Sequence, residues 1–289
     1  MSEKAQQIDA QKQDRQPGLE DEMHPSAEFI RDGYQSSDKL AGDVAMVTGG
    51  DSGIGRAVAA HFAREGADVA IVYLDEHEDA EEAKEMVERE NQDCLLFDGD
   101  VRESAFCQAA VEETLDSFGG IDILVNNAAQ QVVKTDLTEI SDEQWEETFA
   151  INMHGYFYMA RAVLPHLEAG DVIINTTSVN AFLGNDMLID YSSTKGAIAG
   201  FTRSLSQQVA SEGIRVNQVA PGPIWTPLIP ATMGQYDPEL VEEFGTDVPM
   251  GRPGQPAELG PAYVYLASDD SSYMSGQTLH LNGGKILNG

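Results

Sequence analysis

From residue 42 onward, short β-branched runs alternate with longer amphipathic stretches, and few architectures satisfy that alternation. Strands are expected at 44–48, 69–74, 94–98, 123–126, 172–176, 215–219 and 278–281. Helical stretches fall between them, at about 54–65, 78–91, 103–118, 142–168, 192–212 and 256–268. Gly66, Gly119, Gly170 and Gly213 stand where a left-handed residue ends a helix. Ser141 followed by Gln144 reads as a capping box opening the 142–168 helix. The strands are almost wholly apolar, so both faces of the sheet must be covered, which requires parallel strands with helical crossovers. The expected fold class is α/β: a doubly wound, seven-stranded parallel sheet with helices on both faces, in one domain over 41–289. A Pro-rich stretch at 221–253 interrupts the alternation, and an irregular insertion of that length is expected to be either functional or disordered.

Residues 1–40 differ from the rest. The first 16 are polar and without period, and are expected to be disordered. Residues 17–40 carry spaced apolar anchors, Met23, Phe29, Ile30 and Tyr34, and read as an arm lying on the body or on a neighbouring subunit.

Charge excludes several partners. With 49 Asp and Glu against 17 Lys and Arg, the formal net charge is −32. Such a surface repels nucleic acid, anionic membrane and an acidic carrier protein alike. Two readings of the charge stand side by side, an ordinary acidic protein and a halophilic one whose carboxylates keep it hydrated in salt. Cys94 and Cys107 make no disulfide framework, and the six histidines show no metal-ligand spacing, so no metal is expected. No apolar run reaches the ~20 residues that span a bilayer, and the polar N-terminus lacks a signal core. The expected location is cytoplasmic.

The first strand runs into Thr48-Gly49-Gly50-Asp51-Ser52-Gly53-Ile54-Gly55 and then a helix. Glycines there let the backbone turn tightly against a pyrophosphate, and the helix start presents free N–H groups to it. The spacing TGxxxGxG resembles the short-chain dehydrogenases/reductases, a family with a Rossmann-like fold. The likeness extends over about 41–289. The arm, with Pro17-Gly18 and Met23-x-Pro25, is similar to an N-terminally extended subgroup labelled glucose/ribitol-dehydrogenase-like.

The resemblance implies a nicotinamide dinucleotide. The loop residues Thr48, Gly49, Ser52, Gly53, Ile54 and Gly55 would hold its diphosphate side. Tyr73 and Asp75 follow the second strand, where a 2′-hydroxyl needs an acceptor and a 2′-phosphate a cation. Asp51, Asp75, Glu76, Glu78 and Asp79 crowd this place, and Arg56 is the single nearby cation in sequence. That balance favours NAD, with NADP the alternative. By resemblance Asp100 and Val101 contact the adenine. Asn126-Asn127-Ala128-Ala129 matches the family's NNAG apart from Ala129, placing Asn126 and Ala128 by the ribose. Pro221, Gly222, Ile224 and Thr226 reach the nicotinamide and pyrophosphate.

Tyr191 and Lys195 stand four apart, on one face of a helix. An ammonium one turn from a phenol is expected to lower its pKa, enabling Tyr191 to exchange a proton at neutral pH. Lys195 would also hold the nicotinamide ribose. Ser178, at the end of the fifth strand, is placed to donate to a developing alkoxide. The resemblance makes Asn152 the support of a water relay behind Lys195. The reading is an NAD(P)-dependent oxidoreductase acting on a small alcohol, polyol, sugar, ketone or aldehyde, with Asn152, Ser178, Tyr191 and Lys195 as its catalytic residues. A non-catalytic nucleotide-binding scaffold, a 3-oxoacyl-carrier-protein reductase and a sugar epimerase or dehydratase are the rivals. Trp225, Leu228, Ile229, Met233, Tyr236 and Phe244 would line a lid over the substrate. The resemblance also implies a homotetramer, with a dimer as alternative, contacting through the helices at 142–168 and 192–212.

Overall fold

A strand that is apolar throughout buries its odd residues on one side of a sheet and its even ones on the other. In the computed structural model, which describes residues 8–287, Ala45 and Val47 enter one core while Met46 enters the other. The first half of the body comprises β1 (Val44–Thr48), α1 (Gly53–Arg64), β2 (Asp68–Tyr73), α2 (His77–Glu88), β3 (Cys94–Asp98), α3 (Ser104–Phe118) and β4 (Ile123–Asn126). The second half runs α4 (Asp142–Phe149), α5 (Gly155–Val163), β5 (Val172–Thr176), α6 (Asn180–Leu183), α7 (Ile189–Val209), β6 (Arg215–Pro221), α8 (Leu228–Tyr236), α9 (Glu239–Glu242), α10 (Gly260–Ala267) and β7 (Thr278–Leu281). The strands form one sheet in the order β3-β2-β1-β4-β5-β6-β7, all parallel. Val58, Phe62, Ala80 and Tyr263 bring α1, α2 and α10 onto one face. Cys107, Val111, Met159 and Leu205 bring α3, α5 and α7 onto the other. The expected doubly wound, Rossmann-like single domain is what forms.

Several boundaries move for identifiable reasons. The strand expected at 69–74 spans Asp68–Tyr73, and the one expected at 215–219 continues to Pro221 because β7 pairs along it, Pro221 opposite Leu281. The single helix expected over 142–168 is interrupted by a π-turn at Ala150–His154 and ends in a 3₁₀ turn at Leu164–His166, where Pro165 lacks a donor. Ser141 caps α4 through Gln144 N–H at 3.2 Å, but the Gln144 side chain reaches Asp190 instead of closing the box. The helix expected from 192 begins at Ile189, which brings Tyr191 inside its first turn. The last one divides into a 3₁₀ turn at Pro256–Glu258 and α10.

Residues 8–40 form an arm without helix or strand, laid against the body. Ile8 and Met23 are buried in a cluster with Trp225, Ile229 and Val241. Trp225 Nε1 donates to the Pro25 carbonyl at 2.7 Å, and Gln13 N–H to that of Pro230 at 3.0 Å. Residues 8–16, expected to be disordered, are held by these contacts; residues 1–7 lie outside the described part. The polar composition hid the anchoring, because one isoleucine and one buried glutamine make no periodic signal.

Met23→Ala should lower unfolding stability by about 2–4 kcal/mol, the usual cost of a buried large-to-small change. Urea unfolding measures it, and an unchanged midpoint would show that the arm is not part of the cooperative unit.

Candidate active site

Strands β1 and β4 are neighbours whose following segments leave toward opposite edges, so a crevice opens beyond their carboxyl ends. Thr48 holds that junction. Its hydroxyl accepts from Asn127 N–H at 2.9 Å and Ala128 N–H at 3.1 Å, while Asn127 Nδ2 donates to the Gly49 carbonyl at 3.1 Å. Gly49 has φ +61°, and a Cβ on Gly55 would overlap the Gly49 carbonyl oxygen, so only glycine lets the loop close onto α1. Here the chain forms a cleft of about 800 Å³. Gly49, Ser52, Gly53, Ile54, Tyr73, Asp100, Val101, Ala128, Ser178, Tyr191, Lys195, Pro221, Gly222, Ile224 and Thr226 line it, as expected from the sequence.

Five expected residues do not line the cleft. Thr48 and Gly55 shape the loop from within it. Asn126 donates to Asn175 Oδ1 at 3.0 Å, and Asn175 to Thr202 Oγ1 at 2.9 Å, a buried chain that ties β4 through β5 to α7. Asp75 is exposed at φ +63°, its N–H directed at Asp98 Oδ1 at 3.3 Å. Asn152 lies in the π-turn, fully buried. Its Oδ1 accepts from Gln130 N–H at 2.8 Å, and its Nδ2 donates to the Gln130 carbonyl at 2.9 Å and to Thr194 Oγ1 at 3.1 Å. These three bonds tie the loop after β4 to the residue before Lys195.

Ser178 follows β5, and Tyr191 and Lys195 lie within the first two turns of α7. Thr177 Oγ1 donates to the Lys195 carbonyl at 2.8 Å, fastening the two elements together. The Ser178 side chain lies close enough to the Tyr191 hydroxyl to favour its ionisation, and Ser178 Oγ accepts Asn180 N–H at 3.1 Å. Lys195 Nζ donates to the Thr176 carbonyl at 3.0 Å and stands 5.4 Å from the centroids of both the Tyr191 and Tyr156 rings. Burial pushes Tyr191 up to about 12, with the Ser178 side chain opposing, and burial alone drives Lys195 down to about 7. The expected lowering of Tyr191 by Lys195 is therefore outweighed in this geometry. Desolvation disfavours both charged forms, and the ammonium is aimed at a backbone carbonyl.

Electrostatics at the end of the cleft beside β2 are settled by tertiary contacts. Arg56 is buried, giving Nη2 to Asp79 Oδ1 and the Asp79 carbonyl, both at 2.8 Å, and Nε to the Asp51 carbonyl at 2.6 Å. Arg15 of the arm pairs with the buried Glu76, a cation that sequence proximity does not reveal. Asp100 faces Arg102 Nε at 2.7 Å, and this bond holds its carboxyl below the usual range. Over the cleft stand Leu228, Ile229, Met233 and Phe244, as expected. Trp225 instead turns into the arm cluster, and Tyr236 is exposed. Gln16, Pro17 and Gly18 also line the cleft, and no local pattern in the sequence marks them. Among the described residues no group of three His, Cys, Asp or Glu could hold a metal, and no helix is long and apolar enough to cross a membrane.

Gly55→Ala should weaken dinucleotide binding at least about tenfold, since a methyl group there pushes the loop off the helix start. Titration of the variant checks it, and wild-type affinity would show that the loop has slack.

The comparisons with known proteins agree with this geometry. A family model described as Enoyl-(Acyl carrier protein) reductase matches residues 49–285. The glucose and ribitol dehydrogenase of Daucus carota is 50% identical over 289 residues, with 98% of each chain covered. NADPH-dependent aldehyde reductase 1, chloroplastic, of Arabidopsis thaliana is 48% identical over 285 residues, covering 96% of this chain and 98% of that one. The crystal structure of a short chain dehydrogenase from Burkholderia cenocepacia J2315 in complex with NADP superposes with a TM-score of 0.79 at 28% identity, covering 85% of this chain and 98% of the other. A glycine-shaped crevice at the β1–β4 junction, a Ser–Tyr–Lys set beside it and these relatives together place the chain in the short-chain dehydrogenase/reductase family, as an NAD(P)-dependent oxidoreductase.

Proposed function

We propose that the chain interconverts a CH–OH group and a carbonyl on a small neutral alcohol, polyol, sugar, ketone or aldehyde, with Tyr191 as the acid–base group. The observation that carries this is the buried Tyr191–Ser178 pair, facing the cleft beneath the apolar side chains of 228–244. Two hydroxyls converging on one point can hold one substrate oxygen.

The residues fit a dinucleotide, because the loop from Gly49 to Gly55 excludes side chains where a diphosphate would lie. Gly49, Ser52, Gly53 and Ile54 would hold that part, Lys195 the nicotinamide ribose, and Ile224 and Thr226 the far end. When bound, the nicotinamide supplies the hydride acceptor or donor. Ser178 and Tyr191 orient the substrate oxygen. In oxidation the Tyr191 phenolate takes the hydroxyl proton and becomes the phenol, and Lys195 on the same helix face, in its protonated form, stabilises that phenolate. In reduction Tyr191 returns the proton. Asn152 acts as a positioning residue, through Gln130 and Thr194.

Lys285 borders the cleft but pairs with Asp247 at 2.7 Å, and Glu243 stands nearby. Phosphate or carboxylate substrates are disfavoured by that lining, and an acidic carrier protein by the net charge of −32. On the cofactor the supports divide. Asp51, which lines the cleft, favours the 2′-hydroxyl of NAD, whereas the names of two relatives carry NADPH or NADP.

A panel of polyols, sugars, aldehydes and ketones assayed with NAD and NADP, at low and molar KCl, tests the reading. Tyr191→Phe should cost about 10²–10⁴-fold in turnover while dinucleotide affinity stays unchanged. Retained turnover in that variant would remove Tyr191 from the chemistry. Because burial holds Tyr191 protonated up to about 12, oxidation, which needs the phenolate, should rise from neutral into alkaline pH. Reduction, which needs the phenol, should stay level over the same range. An oxidation rate that falls as pH rises would contradict the assignment.

A further inference from the structure

The arm reaches the nucleotide end of the cleft as well as the lid. Glu20 is 6% exposed, and its Oε1 accepts the Gly53 N–H at 2.6 Å. That N–H is the first of α1, the helix whose start the glycine loop leads into. The Glu20 backbone N–H donates to Asp79 Oδ2 at 3.1 Å, the carboxylate whose other oxygen holds Arg56. Two residues before Glu20, Gly18 lies in the cleft wall, where a Cβ would stand 2.6 Å from the Pro227 carbonyl oxygen. A carboxylate 33 positions upstream thus occupies one of the few N–H groups at the start of the cofactor helix.

We propose that the arm is a constituent of the dinucleotide site and that Glu20 is its positioning residue, fixing the start of α1 through Gly53. The proposal rests on the reading of the glycine-loop cleft as the NAD(P) site. A bound diphosphate brings negative charge to the same helix end that Glu20 occupies. An ionised Glu20 opposes it. A neutral Glu20 does not, and its carbonyl oxygen still accepts from Gly53.

The charged surroundings of Glu20 are Arg56 on α1, Asp79 on α2 and Asp51 in the glycine loop; Asp79 and Asp51 also border Glu76, which Arg15 meets. Arg56 draws Glu20 toward ionisation, Asp79 and Asp51 oppose it, and burial dominates, pushing the carboxyl up to about 7. Dinucleotide affinity is therefore highest with Glu20 protonated and weakens as pH rises past neutral.

The test is equilibrium titration of the full-length protein with NADH and NADPH, from about pH 6 to about pH 9, on wild type, Glu20→Ala and Glu20→Gln. Glu20→Ala should raise the dissociation constant about tenfold at neutral pH. Glu20→Gln keeps an acceptor oxygen for Gly53 and should restore the affinity, and it should remain tight at alkaline pH where wild type weakens. An unchanged dissociation constant in a folded Glu20→Ala, or a wild-type pH dependence in Glu20→Gln, would overturn the assignment. Should the alanine variant fail to fold, the glutamine pH profile decides alone. Wild-type protein that binds neither dinucleotide would instead sink the cofactor reading itself, so the two failures are distinguishable.

Discussion

The Thr48 hydroxyl accepts two backbone N–H groups from the segment after β4, and the cleft depends on that contact. Two parallel strands can lie side by side while their following loops drift apart, and a crevice of loose walls holds nothing firmly. Here one side chain at the end of β1 fixes Asn127 and Ala128, and Asn127 returns a bond to Gly49. The glycine loop and the β4 loop thereby become one surface. Asn126, Asn175 and Thr202 continue the tie to α7, which carries the tyrosine and lysine. Asn152 closes the circuit from the other side by holding Gln130 and Thr194. The polar groups buried around the site are mostly spent on holding backbone segments in register, at the positions where an orphaned donor would be most costly.

Desolvation governs the chemistry as much as charge does. Tyr191 and Lys195 share a helix face, yet burial sets both pKa values, one upward and one downward. Proximity in sequence predicts a Coulombic effect; the actual sign depends on where the ammonium points and how much water reaches it. The end of the cleft beside β2 shows the same logic. Asp51, Glu76, Asp79 and Glu20 are all buried within reach of Arg56 or Arg15. Several carboxylates share two guanidinium groups, so their protonation is coupled to one another and to whatever anion lies nearby.

The arm also braces the segment 224–250. Trp225 turns away from the cleft because Met23, Ile8 and the Pro25 carbonyl offer it a complete environment, apolar around the ring and polar at Nε1. The segment's start is anchored to the arm through Trp225, while Leu228, Ile229 and Met233 border the cleft, the last two packing on the arm as well. The cleft and the docked arm therefore meet one short helix from opposite sides.

The alternation of apolar strands and amphipathic helices determined the doubly wound sheet, because a strand without a polar face has to be covered twice. The glycine spacing and the Ser178, Tyr191 and Lys195 positions were also legible, since each is a local pattern tied to one strand end or one helix face. Other features were decided only by the tertiary structure. Asn152 reads as a helix residue until the π-turn rotates it toward Gln130. Thr48 and Asn126 stand in cofactor motifs but are buried and bonded to protein, and Asp75 is carried outward by a left-handed backbone. Arg15 and Glu20 reach the nucleotide end from more than thirty residues upstream in a segment that composition marks as polar tail. Periodicity records which face of an element is buried against the bulk of the protein. It carries no record of single hydrogen bonds between segments far apart in sequence, and those bonds place the cations and carboxylates around this site.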